Sequence, residues 1–476
     1  MLFNSLQFII FFPLTLLLFY LLPVRFRWIL LLLASLWFYM AWKTEYIWLL
    51  LFVCLVNFAC AISIEKANLP KHKKRILWLS VFFNLGVLVL FKYAGFFTEN
   101  INAFFNLTGI DRDVPLINLL LPMGISFYTF QIMGYVIDVY RGELRAERNF
   151  GFFTLFVTFF PQLVAGPIER AGNLISQLKD LRNKVDSEMV MSGFALMALG
   201  FFKKLVVADR LSQYVDKVYL FPEGFDGFNV LLATLFFAVQ IYCDFSGYTD
   251  IAIGCARLLG IRLMDNFKAP YFSASIAEFW SRWHISLSTW FRDYLYIPLG
   301  GNRVVKWQWY YNLYITFMVS GFWHGANWTF VVWGALHGSY LVGGLFLNDL
   351  LSKYQSSPLL SWNRFRFPKI LLTCLLVCFA WIFFRASNMG DAVIVIRKIL
   401  DLFIGGSDWN PVIKGFGVFS LFLSFVFVVM LFFLESDYGK SLFRSPFGSL
   451  FLATLLLVFV FCFGVMGSKS FIYFQF

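Results

Sequence analysis

Residues 44–64 read TEYIWLLLFVCLVNFACAISI, followed by EKANLPKHKK at 65–74 and a second apolar run over 75–97. About 20 mostly apolar residues let a helix cross roughly 30 Å of hydrocarbon. The loop between the runs carries Lys66, Lys71, Lys73, Lys74 and Arg75 against one acid, Glu65, the charge bias of a cytoplasmic loop. The pattern is two spans joined on the inside. Upstream, Met1–Gln7 has no charged side chain and the apolar run through Leu22 is followed by Arg25 and Arg27, the reverse of a secretory signal. That order reads as a retained first span with its N-terminus outside, and counting back from the 65–74 loop gives the same orientation.

Counting forward puts 98–114 outside, where Glu99, Asp111 and Asp113 outweigh Arg112. Apolar runs also occur near 28–41, 116–140, 150–165, 187–207, 228–260, 308–328, 329–349, 368–384, 416–434 and 449–467. Loops 351–369 (Lys353, Arg364, Arg366, Lys369) and 436–446 (Lys440, Arg444) read as cytoplasmic, which leaves the C-terminus outside.

Composition agrees. Hydrophobic residues are 60% of 476 and charged residues 14%, against roughly 25% charged in soluble domains. At about 20 residues per span the apolar content sets a ceiling of roughly 14 spans. The chain reads as an all-α, polytopic integral membrane protein, with residues 1–476 as one domain. The alternating segments of about 10 residues that mark a membrane β-barrel are not found. The net charge of +12 collects in short loops, as the positive-inside rule requires, so no nucleic acid is implied. Seven cysteines lie in apolar sequence without C-x-x-C spacing and read as packing thiols, with no metal site.

Two regions resist a plain span reading. Pro115, Pro122, Gly124, Gly134, Pro161, Gly166 and Pro167 break up 112–170, the mark of broken or re-entrant helices lining a cavity. Residues 261–307 are too polar to cross lipid alone and too aromatic for a free loop. Their 275–296 part reads as one or two helices at depth, opened by a capping box at Ser275-x-x-Glu278 and closed by the turn Pro298-Leu-Gly-Gly301.

Four histidines occur. His72 belongs to the basic loop and reads as a solvated polar group. His324, in Gly321-Phe-Trp-His-Gly325-Ala-Asn327, is an ionisable group among small residues at membrane depth, a functional candidate by default. Its plain alternative is an interhelical hydrogen bond of about 1–2 kcal/mol, and that reading is favoured for His337. On a single helix His337 would point away from His324, and a turn at Gly325–Asn327 is expected to separate them further. His284 lies in the densest mix of charge and aromatics, with Arg282, Trp283, Arg292 and Asp293, and is either site-lining or part of an interfacial belt. Asp244, Ser246 and Asp250 sit between apolar flanks, and a buried carboxylate there requires a cation that the sequence does not identify. A neutral imidazole can take a proton from an attacking hydroxyl, so acyl transfer and proton-coupled transport both fit. No Walker or dinucleotide phosphate loop and no Gly-x-Ser-x-Gly elbow occurs.

Several strings, in order, resemble the membrane-bound O-acyltransferase (MBOAT) family, and within it the branch that acetylates bacterial alginate. They are Tyr128-Thr-Phe-Gln131, Gln162–Arg170, Tyr242–Asp250, Trp280–Gly301, Gly321–Gly325 and Phe471–Phe476. The resemblance implies a helical bowl with a funnel on each side. It implies His324 as the signature catalytic histidine, His284 as its second catalytic partner, and Trp323, Asn327, Asp244, Ser246, Arg282, Trp283 and Gln131 as substrate-binding. It also implies an O-acetyltransferase of the bacterial inner membrane that takes cytoplasmic acetyl-CoA as a substrate, with no other cofactor. The acetyl group would pass outward to an exported polysaccharide, alginate-type or another surface glycan, through an extracytoplasmic esterase-like partner protein. Three alternatives stay open: a teichoic acid D-alanyl transferase, a polysaccharide or proton-coupled transporter, and a scaffold for an export assembly.

Overall fold

The computed structural model describes residues 1–117, 119–182, 186–352, 366–405, 417–442, 445–465 and 471–472. Of the charges used to orient the chain, Lys353, Arg364 and Arg444 lie outside the described residues, as do the last four residues of the tail string. The described residues form helices joined by turns, without a strand. Among the described residues, seven helices are long and apolar enough to cross a membrane: Tyr46–Lys66, Pro70–Thr108, Ser187–Leu220, Gly227–Leu258, Trp328–Leu350, Arg366–Arg385 and Val418–Glu435. At 1.5 Å per residue, Tyr46–Lys66 is about 31 Å long, the thickness of the hydrocarbon. The all-α polytopic reading holds.

The chain forms two compact units. One comprises Met1–Met197 with Ile251–Met264, the other Ala198–Asp250 with Asp265–Phe476.

In the first unit, apolar side chains such as Leu33, Trp48 and Phe82 are exposed while polar ones turn inward. Asn57 and Asn84 exchange hydrogen bonds (3.1 and 2.7 Å) and Ser80 donates to Asn57 at 2.6 Å, all buried. In lipid such groups must find partners within the protein. The helix after the basic loop runs past the end of its apolar run, through a π-helical turn at Val89–Tyr93, to Thr108. The expected outer loop 98–114 is therefore helical over 98–108, because helix hydrogen bonds are internal whatever surface the side chains face. Conversely the apolar run at 116–140 becomes helical only from Ile125, after Gly124 in the left-handed region (φ 71°).

The proline-rich region is broken as expected. Phe150–Thr158 and Phe160–Leu163 are separated at Phe159. Pro161 has no N–H to continue the ladder, and the Phe160 N–H turns to Ser35 Oγ at 3.1 Å. The released Phe156 carbonyl accepts from Gln131 Nε2 (2.8 Å) and Gln162 Nε2 (2.9 Å). Further along, buried Glu169 accepts from Asn173 Nδ2 at 2.9 Å and from the Met264 N–H.

In the second unit, 275–296 forms Ile276–Arg282 and Ile285–Phe291 followed by a π turn at Arg292–Tyr296. Ser275 Oγ caps the Glu278 N–H at 3.1 Å, and the Glu278 carboxylate reaches back one residue further than a capping box does, to the Ala274 N–H at 2.7 Å. A helix the hydropathy pattern does not mark, Met389–Ile404, opens on an Asn388 cap.

Candidate functional site

Helices Lys306–His324 and Trp328–Ser352 form a hairpin whose turn is Gly325–Asn327. Asn327 Oδ1 caps the Thr329 N–H at 3.0 Å and its Nδ2 donates to Ser387 O at 2.9 Å. The helices touch at Gly321 and Gly334. A β-carbon on Gly321 would lie 2.4 Å from Phe330 O and 2.9 Å from the Gly334 Cα. The small residues beside His324 thus serve close backbone approach between helices.

His324 ends the first of these helices and is buried among rings, with centroids of Trp323 and Trp333 at 4.9 Å and Phe384 at 5.3 Å. His337, nine residues into the second helix, packs on the same Trp333 at 4.8 Å. The expected separation of the two imidazoles is corrected: the hairpin folds back, and one indole touches both. His337 Nδ1 accepts from Trp280 Nε1 at 3.2 Å. Indole N–H only donates, so a neutral His337 carries its proton on Nε2.

His284, the linker between the two short helices, is fully buried and left-handed (φ 44°, ψ 54°), one of two non-glycine residues with positive φ among those described. Its ring meets Phe245 at 4.6 Å and Trp323 at 6.4 Å. Trp323 therefore contacts both His284 and His324, and three of the four histidines share one aromatic cluster in the second unit. Trp283 is buried in that cluster, 5.1 Å from Trp381 and stacked at 5.5 Å on Phe279.

The other anticipated residues are placed as follows. Arg282 pairs with Glu278 one helical turn back at 2.6 Å. Asp244 is buried and bonded to Lys204, which also holds Asp209 at 2.8 Å. Its second oxygen accepts from the Ile472 N–H at 2.7 Å, and Phe471 packs 4.8 Å from Tyr248 and 5.5 Å from Phe245. The end of the described tail is thus seated beside the residue that abuts His284. Ser246 Oγ is buried with no hydrogen-bond partner among the described residues. Gln131 belongs to the first unit, where it serves the broken helix.

The cation for Asp244 that the sequence left unidentified is Lys204, and its neighbour Lys203 holds Asp250 (2.9 Å) and Glu435 (3.1 Å). Two adjacent lysines inside the apolar run 187–207 were the readable signal, since charge at membrane depth demands partners. Asn266, which bonds His284 and Ser286, carries no such signal in the sequence.

A polytopic helical membrane protein with two buried histidines packed on a shared tryptophan is the class that fold and site define. The profile of MBOAT, the membrane-bound O-acyltransferase family, matches residues 143–385, the stretch that holds all three clustered histidines. Among relatives, a probable alginate O-acetylase, AlgI, of Azotobacter vinelandii is 39% identical over 94% of this chain and 87% of its own. A peptidoglycan O-acetyltransferase of Helicobacter pylori is 35% identical over 78% of this chain and 73% of its own. A teichoic acid D-alanyltransferase of Bacillus subtilis is 27% identical over 57% of this chain and 71% of its own. The chain belongs to the membrane-bound O-acyltransferase family.

Proposed function

We propose that this protein is a membrane-embedded O-acetyltransferase that takes the acetyl group of cytoplasmic acetyl-CoA for O-acetylation of an exported polysaccharide, through an extracytoplasmic partner protein. The observation that carries the reading is the meeting of His284 and His324 on Trp323. It is supported by O-acetylating relatives that span most of the chain. In this reading His324 accepts the proton of an attacking hydroxyl, whose oxygen forms the new ester bond at the acetyl carbon. The C–S bond breaks, and the departing CoA thiolate takes up a proton. His284 assists. The aromatic walls limit water, which protects the thioester from hydrolysis.

The test is turnover of radiolabelled acetyl-CoA by the purified protein in nanodiscs, with and without the candidate partner. His324→Ala should lower turnover by about 10²–10⁴-fold, the usual range for a lost general base. Undiminished turnover by the folded variant refutes the assignment. The buried Lys203 and Lys204 cluster favours a second reading, proton-coupled transport. In cells the two readings separate: a transporter null abolishes polymer export, whereas an acetyltransferase null exports polymer without ester.

A further inference from the structure

Asn266 grips the residues around His284 at several points. Its backbone carbonyl accepts from the Ile285 N–H at 2.9 Å. Its side-chain Oδ1 lies 3.1 Å from the Ser286 N–H, 2.9 Å from Ser286 Oγ and 3.1 Å from His284 Nδ1. A backbone N–H can only donate, so the Asn266 atom it meets is the oxygen, and the amide orientation is fixed. An amide oxygen can only accept. Ser286 Oγ also lies 3.5 Å from His284 Nδ1, but its one hydrogen goes to the nearer Asn266 Oδ1 at 2.9 Å, so Nδ1, 3.1 Å from that same oxygen, carries the proton, since two lone pairs at that distance would repel.

We infer that Asn266 is a positioning residue that locks neutral His284 in its Nδ1–H tautomer, so that Nε2 faces the acyl-transfer chemistry as a proton acceptor and not as a donor. The inference rests on the acetyltransferase reading and sharpens it. His284 then assists on the side of the attacking hydroxyl, and polarisation of the thioester carbonyl, which needs a donor, falls to another group. The arrangement follows the physical logic by which a second acceptor orients a histidine base and stabilises its charged form. The left-handed backbone at 284 turns the ring toward Asn266, and Phe245, Phe267 and Trp323 pack against it there.

Charged groups on the surrounding elements pair with one another: Lys203 with Asp250 and Glu435, and Arg292 with Asp293. Asp244, beside Phe245 on the Gly227–Leu258 helix, is paired with Lys204. Glu278 is paired with Arg282 in the preceding short helix, Asp265 with Lys268 beside Asn266, and His324 lies beyond Trp323.

Two measurements test the inference on the full chain in nanodiscs. The first does not depend on activity. With four histidines in the sequence, ¹⁵N-histidine labelling gives a spectrum in which loss of a signal in His284→Asn assigns the residue. The one-bond N–H coupling of neutral His284 should be on Nδ1, and Asn266→Leu should move it, wholly or in part, to Nε2. A proton on Nε2 in the wild type overturns the inference. The second measurement is the pH profile of acetyl-CoA turnover. Asn266→Asp keeps an acceptor at Nδ1 but adds a charge there, so the acidic limb should move up by about 1–3 pH units, the shift an adjacent opposite charge produces. Asn266→Leu should lower kcat at least tenfold with little change in KM, the pattern of an interaction made in the transition state. If His284→Asn abolishes turnover while both Asn266 variants match the wild type in rate and pH profile, Asn266 has no positioning role and the acetyltransferase reading stands. If turnover is insensitive to His284 and His324, the acetyltransferase reading fails while the spectrum still reports the tautomer.

Discussion

Replacing Lys204 by methionine keeps most of the length of the side chain and removes the cation shared by Asp209 and Asp244. The three side chains are 2–3% exposed, so solvent screens little of the interaction. Each charge-assisted hydrogen bond is worth about 1.5–3 kcal/mol. Removing one partner of a buried ion pair costs about 3–5 kcal/mol, because the remaining charge stays desolvated. Asp244 keeps the Ile472 N–H, which softens the loss without neutralising the carboxylate. The expected destabilisation of Lys204→Met is therefore about 3–5 kcal/mol, read by fluorescence-detected size exclusion after stepwise heating in detergent. Adding Asp244→Asn removes one of the stranded charges and should recover about 1–3 kcal/mol, a coupling of the size found between direct partners. A Lys204→Met protein within about 0.5 kcal/mol of wild type, or a double variant whose cost is the plain sum of the two singles, would refute the assignment of Lys204 as a charged, doubly bonded anchor.

Three other outcomes are expected. Gly321→Ala puts a methyl 2.4 Å from a backbone oxygen, an overpacking that costs about 1–3 kcal/mol; under the proposed acetyltransferase function it should also lower acetyl-CoA turnover in protein that still folds, because the hairpin carries His324. Trp280→Phe deprives His337 Nδ1 of its donor and should destabilise by about 1–3 kcal/mol, the cost of an unsatisfied buried group; thermal unfolding unchanged from wild type would remove His337 from the network. Burial raises the Glu169 carboxyl above its usual value, outweighing the hydrogen bonds from Met264 and Asn173. The folded state thus favours the protonated acid, whose contribution is full below the unfolded value near 4.5 and is lost as pH rises through the folded one. The wild-type minus Glu169→Gln difference in unfolding temperature should accordingly fall with rising pH across that interval, and a flat difference would contradict it.

What the sequence made legible was local. A span such as 44–64 declares itself within its own twenty residues, and so does the cap at Ser275, whose partner is three positions away. The long-range partners were out of reach. Lys204 stands forty residues from Asp244 and Asn266 eighteen from His284, and no periodicity links either pair. The relation of His337 to His324 was misjudged because helical angle arguments apply within one helix, whereas the Gly321 and Gly334 crossing lays two helices side by side around Trp333. Met389–Ile404 escaped because an amphipathic helix makes no continuous apolar run. Gln131 was singled out by its motif, and only the interruption at Phe159 explains what its amide does in the fold.

The backbone at His284 bears on how this protein can be engineered. A side chain other than glycine held at φ 44° carries about 1–3 kcal/mol of conformational strain. Glycine at that position would release the strain but would also delete a fully buried ring with its contacts to Phe245, Trp323 and Asn266, a loss of about 2–5 kcal/mol by the usual cost of a buried cavity. The loss outweighs the relief, so selection for heat-resistant variants, a common route to tractable membrane proteins, is expected to retain histidine at 284. A thermostability screen on this chain is therefore expected to leave position 284 alone and to find its gains at other sites.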